Sequence, residues 1–158
     1  MISCRQFILM VLLPIFAIIF ISCDSKRFFE ENQRIEKGIW DNHNKVRFVV
    51  AIKDTVSAYN FFLNVRNDAD YPFSNLYFFI RTILPDGSIS RDTVECRLAD
   101  DYGKWLGSGM GSIKFNRFFF QQDVHLRQQG IYVFEFEQAM RIKELKGIRD
   151  VGLRIEKE

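Results

Sequence analysis

Apolar and polar side chains alternate along several short stretches of the chain, and this two-residue period is typical of half-buried β-strands. Residues 46–52 place valine, phenylalanine and isoleucine on one face and Arg47 on the other. The same period recurs at residues 59–65, 94–98, 132–136 and 151–155. Residues 76–84 are apolar on both faces, which predicts a strand in the middle of a sheet or one covered from outside.

The connections between the predicted strands contain turn-forming residues. Pro85 presets φ at the second position of a turn and Gly87 takes the positive φ that follows, so residues 76–98 are predicted to form a hairpin. Residues 138–145 are expected to form a short helical turn at most, and the chain shows no longer amphipathic helix. The pattern therefore predicts an all-β fold: an antiparallel β-sandwich, Ig-like or jelly-roll-like, of about eight strands.

The first 23 residues have a different pattern. One basic side chain, Arg5, precedes an apolar run over residues 7–21, which is typical of a secretory leader and short for a membrane span. The leader ends in Phe20-Ile21-Ser22-Cys23, which resembles a bacterial lipobox, with Phe20 where leucine is usual. By that resemblance, cleavage before Cys23 leaves an N-terminal cysteine that carries lipid. The alternatives are an ordinary signal peptide and an uncleaved anchor helix.

A lipid on Cys23 would divide the chain into three parts. Residues 1–22 are then a lipoprotein signal peptide, residues 23–37 a lipid-anchored tether and residues 38–158 the β-sandwich domain, with 32–40 as a candidate first edge strand. Each buried CH₂ of an acyl chain contributes about 0.8 kcal/mol to membrane binding. Several chains on one cysteine therefore hold the mature protein on the membrane.

Charge and cysteine content narrow the class of protein further. The chain has 158 residues, with 22 Lys and Arg against 20 Asp and Glu, and the leader contains only Arg5 among these. The mature domain is thus nearly neutral, and no basic patch indicates a nucleic-acid partner. Cys96 is the one thiol after Cys23, so the mature domain forms no internal disulfide. Cys96 shares a predicted apolar face with Val94 and Leu98, which predicts a buried and unreactive thiol.

Residues that could carry chemistry are scattered. The glycines of 107–111 lack the Lys-Ser/Thr of a phosphate loop, and His43 and His125 have no ligand-spaced neighbours that would indicate zinc. Four carboxylates fall in predicted loops, at Asp68, Asp70, Asp100 and Asp101. Calcium needs six to eight oxygens and no EF-hand spacing is present, so we expect solvated turn residues and no metal; a calcium site, by analogy with other secreted sandwiches, is the alternative. No cofactor and no catalytic set is indicated.

The long connection 99–111 is the candidate interaction surface. It carries Tyr102 and Trp105 beside Asp100 and Lys104, and long ordered loops with aromatic side chains are common at binding sites. The aromatic side chains could contact a partner protein or stack on sugars. Alternatively, Trp105 closes one end of the sandwich. The 17 phenylalanines could also cover an apolar outer patch, which would mark an interface.

Beyond these patterns, the chain resembles the gliding-motility lipoprotein family GldH from the lipobox to the C-terminus. The resemblance is carried, in order, by residues 71–72, 75–77, 92–93, 98–100, 103–107, 130–132, 137–141 and 147–155. It implies an envelope lipoprotein that supports the gliding machinery, which is linked to type IX secretion, and it implies no catalytic residues.

The resemblance also implies where the protein acts and with what. It places the mature protein on a membrane through Cys23, in the outer membrane facing the periplasm, with other envelope proteins of the gliding machinery as partners. The expected function is that of a non-enzymatic scaffold or assembly factor. The alternative is a lipid-anchored, carbohydrate-binding β-sandwich. A flat exposed aromatic surface at Tyr102 and Trp105 would favour sugar, and a broad phenylalanine patch would favour protein.

Overall fold

The computed structural model describes residues 24–158, and within them nearly all regular structure is β-strand. The leader and Cys23 lie outside the described residues. A single 3-10 turn, Glu36–Gly38, separates the first two strands. The strands are β1 Arg27–Arg34, β2 Ile39–Asp41, β3 Val46–Ile52, β4 Ala58–Asp68, β5 Asn75–Ile83, β6 Ile89–Arg97, β7 Ile113–His125, β8 Gly130–Gln138, β9 Glu144–Lys146 and β10 Ile148–Lys157.

Eight of these strands form two four-stranded antiparallel sheets, in the orders β1-β10-β4-β7 and β3-β8-β5-β6. The short strands β2 and β9 pair separately. The two large sheets pack face to face: Phe61 of β4 and Phe134 of β8 lie with their ring centroids 5.5 Å apart. The prediction of an all-β antiparallel sandwich is confirmed.

Alternate residues of each strand fill the space between the sheets, as the two-residue period predicted. On β8, Tyr132, Phe134 and Phe136 are all buried, and Phe134 is 1% exposed. On β4, Phe61 and Leu63 point the same way and belong to the same core cluster. The hairpin predicted at 76–98 is also confirmed, since β5 pairs with β6 from Asn75 opposite Arg97 to Ile83 opposite Ile89.

Two segments differ from the sequence-based prediction. Residues 23–37 were expected to be a tether, but Arg27–Arg34 forms an edge strand paired along its length with β10, so the sheet begins before residue 38. Residues 138–145 were expected to form at most a helical turn; instead the chain bends there and enters β9. Neither segment has an apolar period that could have indicated its strand, since β1 is held by pairing with β10 and β9 by pairing with β2.

The sandwich has two ends, which we call proximal and distal. At the proximal end β1 begins, β4 begins and β10 finishes, with Lys157 opposite Tyr59. At the distal end β4 finishes and β10 begins, with Ile148 opposite Asn67. Ten residues of β10 separate the two ends, which is about 30 Å at 3.3 Å per residue. No helix among residues 24–158 is both long and apolar enough to cross a membrane.

Candidate functional site

The loop 99–111 lies at the distal end, where a tight turn forms its first part. Ala99 bridges to Trp105, and the N–H of Asp100 donates to the carbonyl of Lys104 over 2.9 Å. The Asp100 carboxylate accepts hydrogen bonds from the N–H groups of Tyr102 and Lys104, each at 2.9 Å. Because one side chain satisfies two backbone donors, the turn is rigidly held.

Trp105 lies at the base of this turn and is half-buried. Its indole N–H donates to the carbonyl of Ala69 over 3.2 Å, and its ring lies 6.4 Å from that of Tyr71, measured between centroids. Tyr71 is buried and donates to the carbonyl of Asn75 over 3.0 Å, and burial raises the pKa of its hydroxyl. Trp105 thus closes part of the distal end and keeps one part of its ring in solvent.

The tip of the loop, by contrast, is fully exposed. Tyr102 is 97% exposed and Met110 is 100% exposed. Lys104 is exposed as well, whereas the carboxylate of Asp100 is engaged within the turn. The structure therefore brings the four predicted residues together in one turn but divides their roles. Asp100 shapes the turn and Trp105 fastens it, while Tyr102 and Lys104 remain available for contact.

A second feature, a buried ionic cluster near the proximal end, was not singled out from the sequence. Arg154 of β10 is 4% exposed, although it points away from the sandwich core. Its guanidinium contacts three carboxylates: Asp24 at 2.7 Å, Glu30 at 2.7 Å and Glu156 at 2.6 Å. Burial disfavours its charge, but hydrogen bonds to the three carboxylates outweigh this and raise the pKa of Arg154.

Glu30 extends the cluster across the sheet. It also accepts hydrogen bonds from Arg117 at 2.7 Å and from the amide of Asn64 at 2.9 Å. Burial opposes its ionisation, yet the hydrogen bonds from Arg154 and Asn64 hold the pKa of Glu30 below its ordinary 4.5. In the sequence, Arg154 lies on the polar face of the last strand, and arginine side chains on such a face are usually exposed to solvent. The sequence pattern therefore gave no indication of a buried cluster.

The remaining candidate residues do not assemble into a reactive centre. Asp68 pairs with Arg149 at 2.6 Å, and His43 and His125 lie near opposite ends of the sandwich. Among residues 24–158, no three His, Cys, Asp or Glu side chains lie close enough together to hold a metal ion. Cys96 is fully buried, as predicted, and burial raises the pKa of its thiol to about 12, which keeps it protonated and unreactive.

The outer face of the β3-β8-β5-β6 sheet carries several exposed apolar side chains. Val49, Ile131 and Phe79 are each about half exposed. Ionic side chains interrupt this surface: Arg81 of β5 pairs with Glu135 of β8 at 2.8 Å. Most phenylalanines among residues 24–158 are buried or packed against the core. Phe79 on this face and Phe119 on β7 are more than half exposed, and they lie on different sheets, so no broad phenylalanine patch forms on this face.

These features define a small β-sandwich domain carried behind a lipoprotein-type leader. Residues 27–155 match the family described as GldH lipoprotein, and the chain belongs to that family. It is 37% identical over 147 residues to the gliding motility lipoprotein GldH homolog of Christiangramia forsetii, and the alignment covers 89% of this chain and 90% of that protein. It is 34% identical over 149 residues to the gliding motility lipoprotein GldH of Flavobacterium johnsoniae, and this alignment covers 90% of this chain and 92% of that protein.

One solved structure has a weaker likeness. A chain of the infectious bursal disease virus Gx strain aligns with 83% of this chain and 30% of its own length, at 12% identity and a TM-score of 0.35. This likeness is too weak to carry an argument about fold or function. The family assignment therefore rests on the sequence relatives, and they agree with the resemblance drawn from residues 71–155.

Proposed function

We propose that this protein is a lipid-anchored scaffold or assembly factor of the gliding machinery linked to type IX secretion. It acts by binding another envelope protein and catalyses no reaction. Membership of the GldH lipoprotein family supports a role in gliding and attachment to a membrane through lipid. The anchor is the acylated Cys23, and the location is the outer membrane, facing the periplasm.

The observation that carries the proposal is the position of Tyr102. The turn set by Asp100 holds this side chain 97% exposed, and tyrosine is among the residue types that dominate binding energy at protein interfaces. The turn lies at the distal end, whereas Asp24, the neighbour of Cys23 in the chain, contacts Arg154 near the proximal end. The aromatic tip is therefore directed away from the point where the lipid would be attached.

The test compares Tyr102→Ala with Val49→Ala in the intact lipoprotein. Both side chains are exposed, Tyr102 at the distal end and Val49 on the outer face of β3, so each change should alter the free energy of unfolding by less than about 1 kcal/mol. After cross-linking in native membranes, we expect Tyr102→Ala to recover several-fold less of the envelope partner that the unaltered protein captures. Val49→Ala should recover as much as the unaltered protein.

Two results would contradict the proposal in different ways. Full partner recovery by a folded Tyr102→Ala variant would remove the loop from the binding surface. Glycan binding by the purified domain that Tyr102→Ala abolishes, with partner recovery unchanged, would instead support the carbohydrate-binding alternative. The anchor is checked separately: mass spectrometry of the mature protein should show lipid on Cys23, and Cys23→Ser should release the protein from the membrane fraction.

A further inference from the structure

The chain enters the folded domain directly after the position of the anchor. Asp24 is bound through its carboxylate to Arg154 and through its carbonyl to the N–H of Arg27, at 2.7 Å and 3.2 Å. The carbonyl of Lys26 accepts the N–H of Lys157 over 3.0 Å. Consecutive Cα atoms are about 3.8 Å apart, so a lipid on the residue before Asp24 would be attached one residue away from these contacts. The described chain is thus held by the domain from Asp24 onward.

The neighbouring loop 53–57 is also held rigidly. The carboxylate of Asp54 accepts hydrogen bonds from the N–H of Val56 at 2.8 Å and from both the N–H and the hydroxyl of Ser57, at 3.2 and 2.8 Å. Asp54 also pairs with Lys157, whose own N–H contacts Lys26. Together these bonds hold the pKa of Asp54 well below its usual range. The loop therefore presents Val56, an apolar side chain, 85% exposed at its apex.

Basic side chains lie at the same end of the sandwich as this apex. Lys26, Arg27 and Lys53 are exposed, and none of the ion pairs within residues 24–158 includes them. Four acidic side chains are exposed at the same end: Asp24, Asp86, Asp123 and Glu158. Asp24 pairs with Arg154, and Asp86 accepts hydrogen bonds from Ser88 and Gln128. The side chain of Glu158 accepts a hydrogen bond from Asn60 at 2.8 Å. The acidic side chains of this end are thus mostly engaged within the domain, whereas Lys26, Arg27 and Lys53 lie outside these ion pairs near the exposed apolar Val56. Basic side chains beside an apolar tip suit the phosphate and glycerol region of a bilayer.

We propose that the proximal end is a membrane-docking surface, formed by Lys26, Arg27, Lys53 and Val56, that lies on the lipid headgroups beside the acylated Cys23. This inference rests on the proposed lipidation of Cys23. The ion pair between Asp24 and Arg154 fixes the angle between the lipid and the β1-β10-β4-β7 sheet. The strands then stand away from the bilayer, and the Tyr102 turn is presented about 30 Å above it, one length of β10.

The arrangement gives the short N-terminal segment a specific role. A domain on a flexible leash samples all orientations, so a partner would find its binding loop only part of the time. A domain fixed at residue 24 and resting on its proximal end presents the distal loop in one direction. The bilayer thereby orders the domain before any partner binds.

The test uses the mature, lipidated protein, from which the leader and its Cys4 have been removed, in vesicles of phosphatidylethanolamine and phosphatidylglycerol. Cys96 is fully buried and the thiol of Cys23 is taken up by the lipid, so a cysteine introduced at the surface is labelled selectively. A fluorescent probe is attached at Val56→Cys or at Met110→Cys, two exposed positions at opposite ends. Quenching by lipids that carry a spin label near the headgroup should be several-fold stronger at Val56→Cys than at Met110→Cys.

A second comparison tests the ion pair. Asp24→Asn removes the charge that joins the anchored residue to Arg154, and it should bring the quenching at the two probe positions closer to equal. Glu156→Gln is the matched control, because Glu156 also pairs with Arg154 at 2.6 Å but is not next to the anchor. This control should preserve the difference between the probes. An equal effect of the two changes would overturn the role of the Asp24 contact.

The possible failures can be told apart. Absence of lipid mass on Cys23 would defeat the proposed anchor. Lipid mass on Cys23 together with equal quenching at Val56→Cys and Met110→Cys would leave the anchor standing and overturn the docking surface. Circular dichroism of each labelled variant confirms that it retains the β-sheet spectrum, so a loss of quenching cannot be assigned to unfolding.

Discussion

Removal of the guanidinium at Arg154 should destabilise the domain strongly, although the side chain lies on the outer face of a sheet. In Arg154→Leu, the leucine side chain replaces the aliphatic part of the arginine side chain, and the guanidinium is lost. Three carboxylates are then left without the cation that they share. Removing one partner of a buried ion pair costs about 3–5 kcal/mol. Here the side chain of Asp24 is 42% exposed and regains water, while Glu30 and Glu156 are only 17% and 19% exposed. Glu30 also keeps Arg117 at 2.7 Å, so we expect a loss of about 2–3 kcal/mol.

The pH dependence of this loss distinguishes an ionic effect from a packing effect. The pKa of Glu30 is lowered below 4.5 in the folded state, so its ionic contribution is fully present above 4.5 and disappears as the pH falls through the lowered value. Arg154→Leu removes a main cause of that lowering. The difference in stability should therefore be largest at about pH 7 and smaller at about pH 3.5, because the ionic contribution of Glu30 begins to fall once the pH drops below 4.5.

Urea denaturation of the two proteins at both pH values measures this difference. Arg97→Leu is the matched control: Arg97 pairs with Asp101, but their side chains are 55% and 88% exposed, and exposed pairs contribute about 0–1 kcal/mol. A cost for Arg154→Leu no larger than that of the control would refute the reasoning. So would a large cost that does not change between the two pH values, because a pH-independent loss would come from packing.

Three further predictions concern the core and the sheet. Phe134→Ala should lower the free energy of unfolding by about 3–5 kcal/mol through lost burial and a cavity, and a denaturation midpoint close to that of the unaltered protein would contradict the inner position of β8. The thiol of Cys96, whose pKa burial raises to about 12, should react with a thiol reagent only after denaturation; rapid labelling of the native domain would contradict its burial. Gly152→Ala should lower the free energy of unfolding by about 1–3 kcal/mol, because a Cβ at this position would lie 1.9 Å from the side-chain oxygen of Asn32 on β1. The change should appear as a lower Tm. An unchanged Tm would show that β1 shifts freely.

The local pattern was sufficient wherever a strand has one face in the core. Residues 132–136 and 46–52 alternate cleanly, and they form β8 and β3 with the predicted sides buried. The burial of Cys96 followed from the same period. The pattern failed at Arg27–Arg34, where polar residues predominate on both faces. An edge strand of this kind is held by backbone pairing with β10 and by ion pairs, and neither leaves an apolar period in the sequence.

The candidate loop was predictable in composition but not in the role of each residue. Its length and aromatic side chains singled out residues 99–111. Only the folded structure shows that the Asp100 carboxylate is engaged by the turn, while Tyr102 is left free. An aspartate next to an exposed tyrosine looks equally available in the sequence. The difference arises because two backbone N–H groups of the turn have no other partner and take up the carboxylate.

By itself, therefore, the sequence predicted the leader and determined the all-β class, the inner faces of the main strands and the family, since each follows from the order of residue types along the chain. The tertiary structure decided the strand order and the two ends of the sandwich. It alone brings Glu30 to Arg154 across 124 positions, because β1 pairs with β10 rather than with a neighbour in sequence. Side-chain alternation reports which face of a strand is buried, but not which strand lies beside it. The ionic cluster and the contact of Asp24 with Arg154 depend on the pairing of β1 with β10.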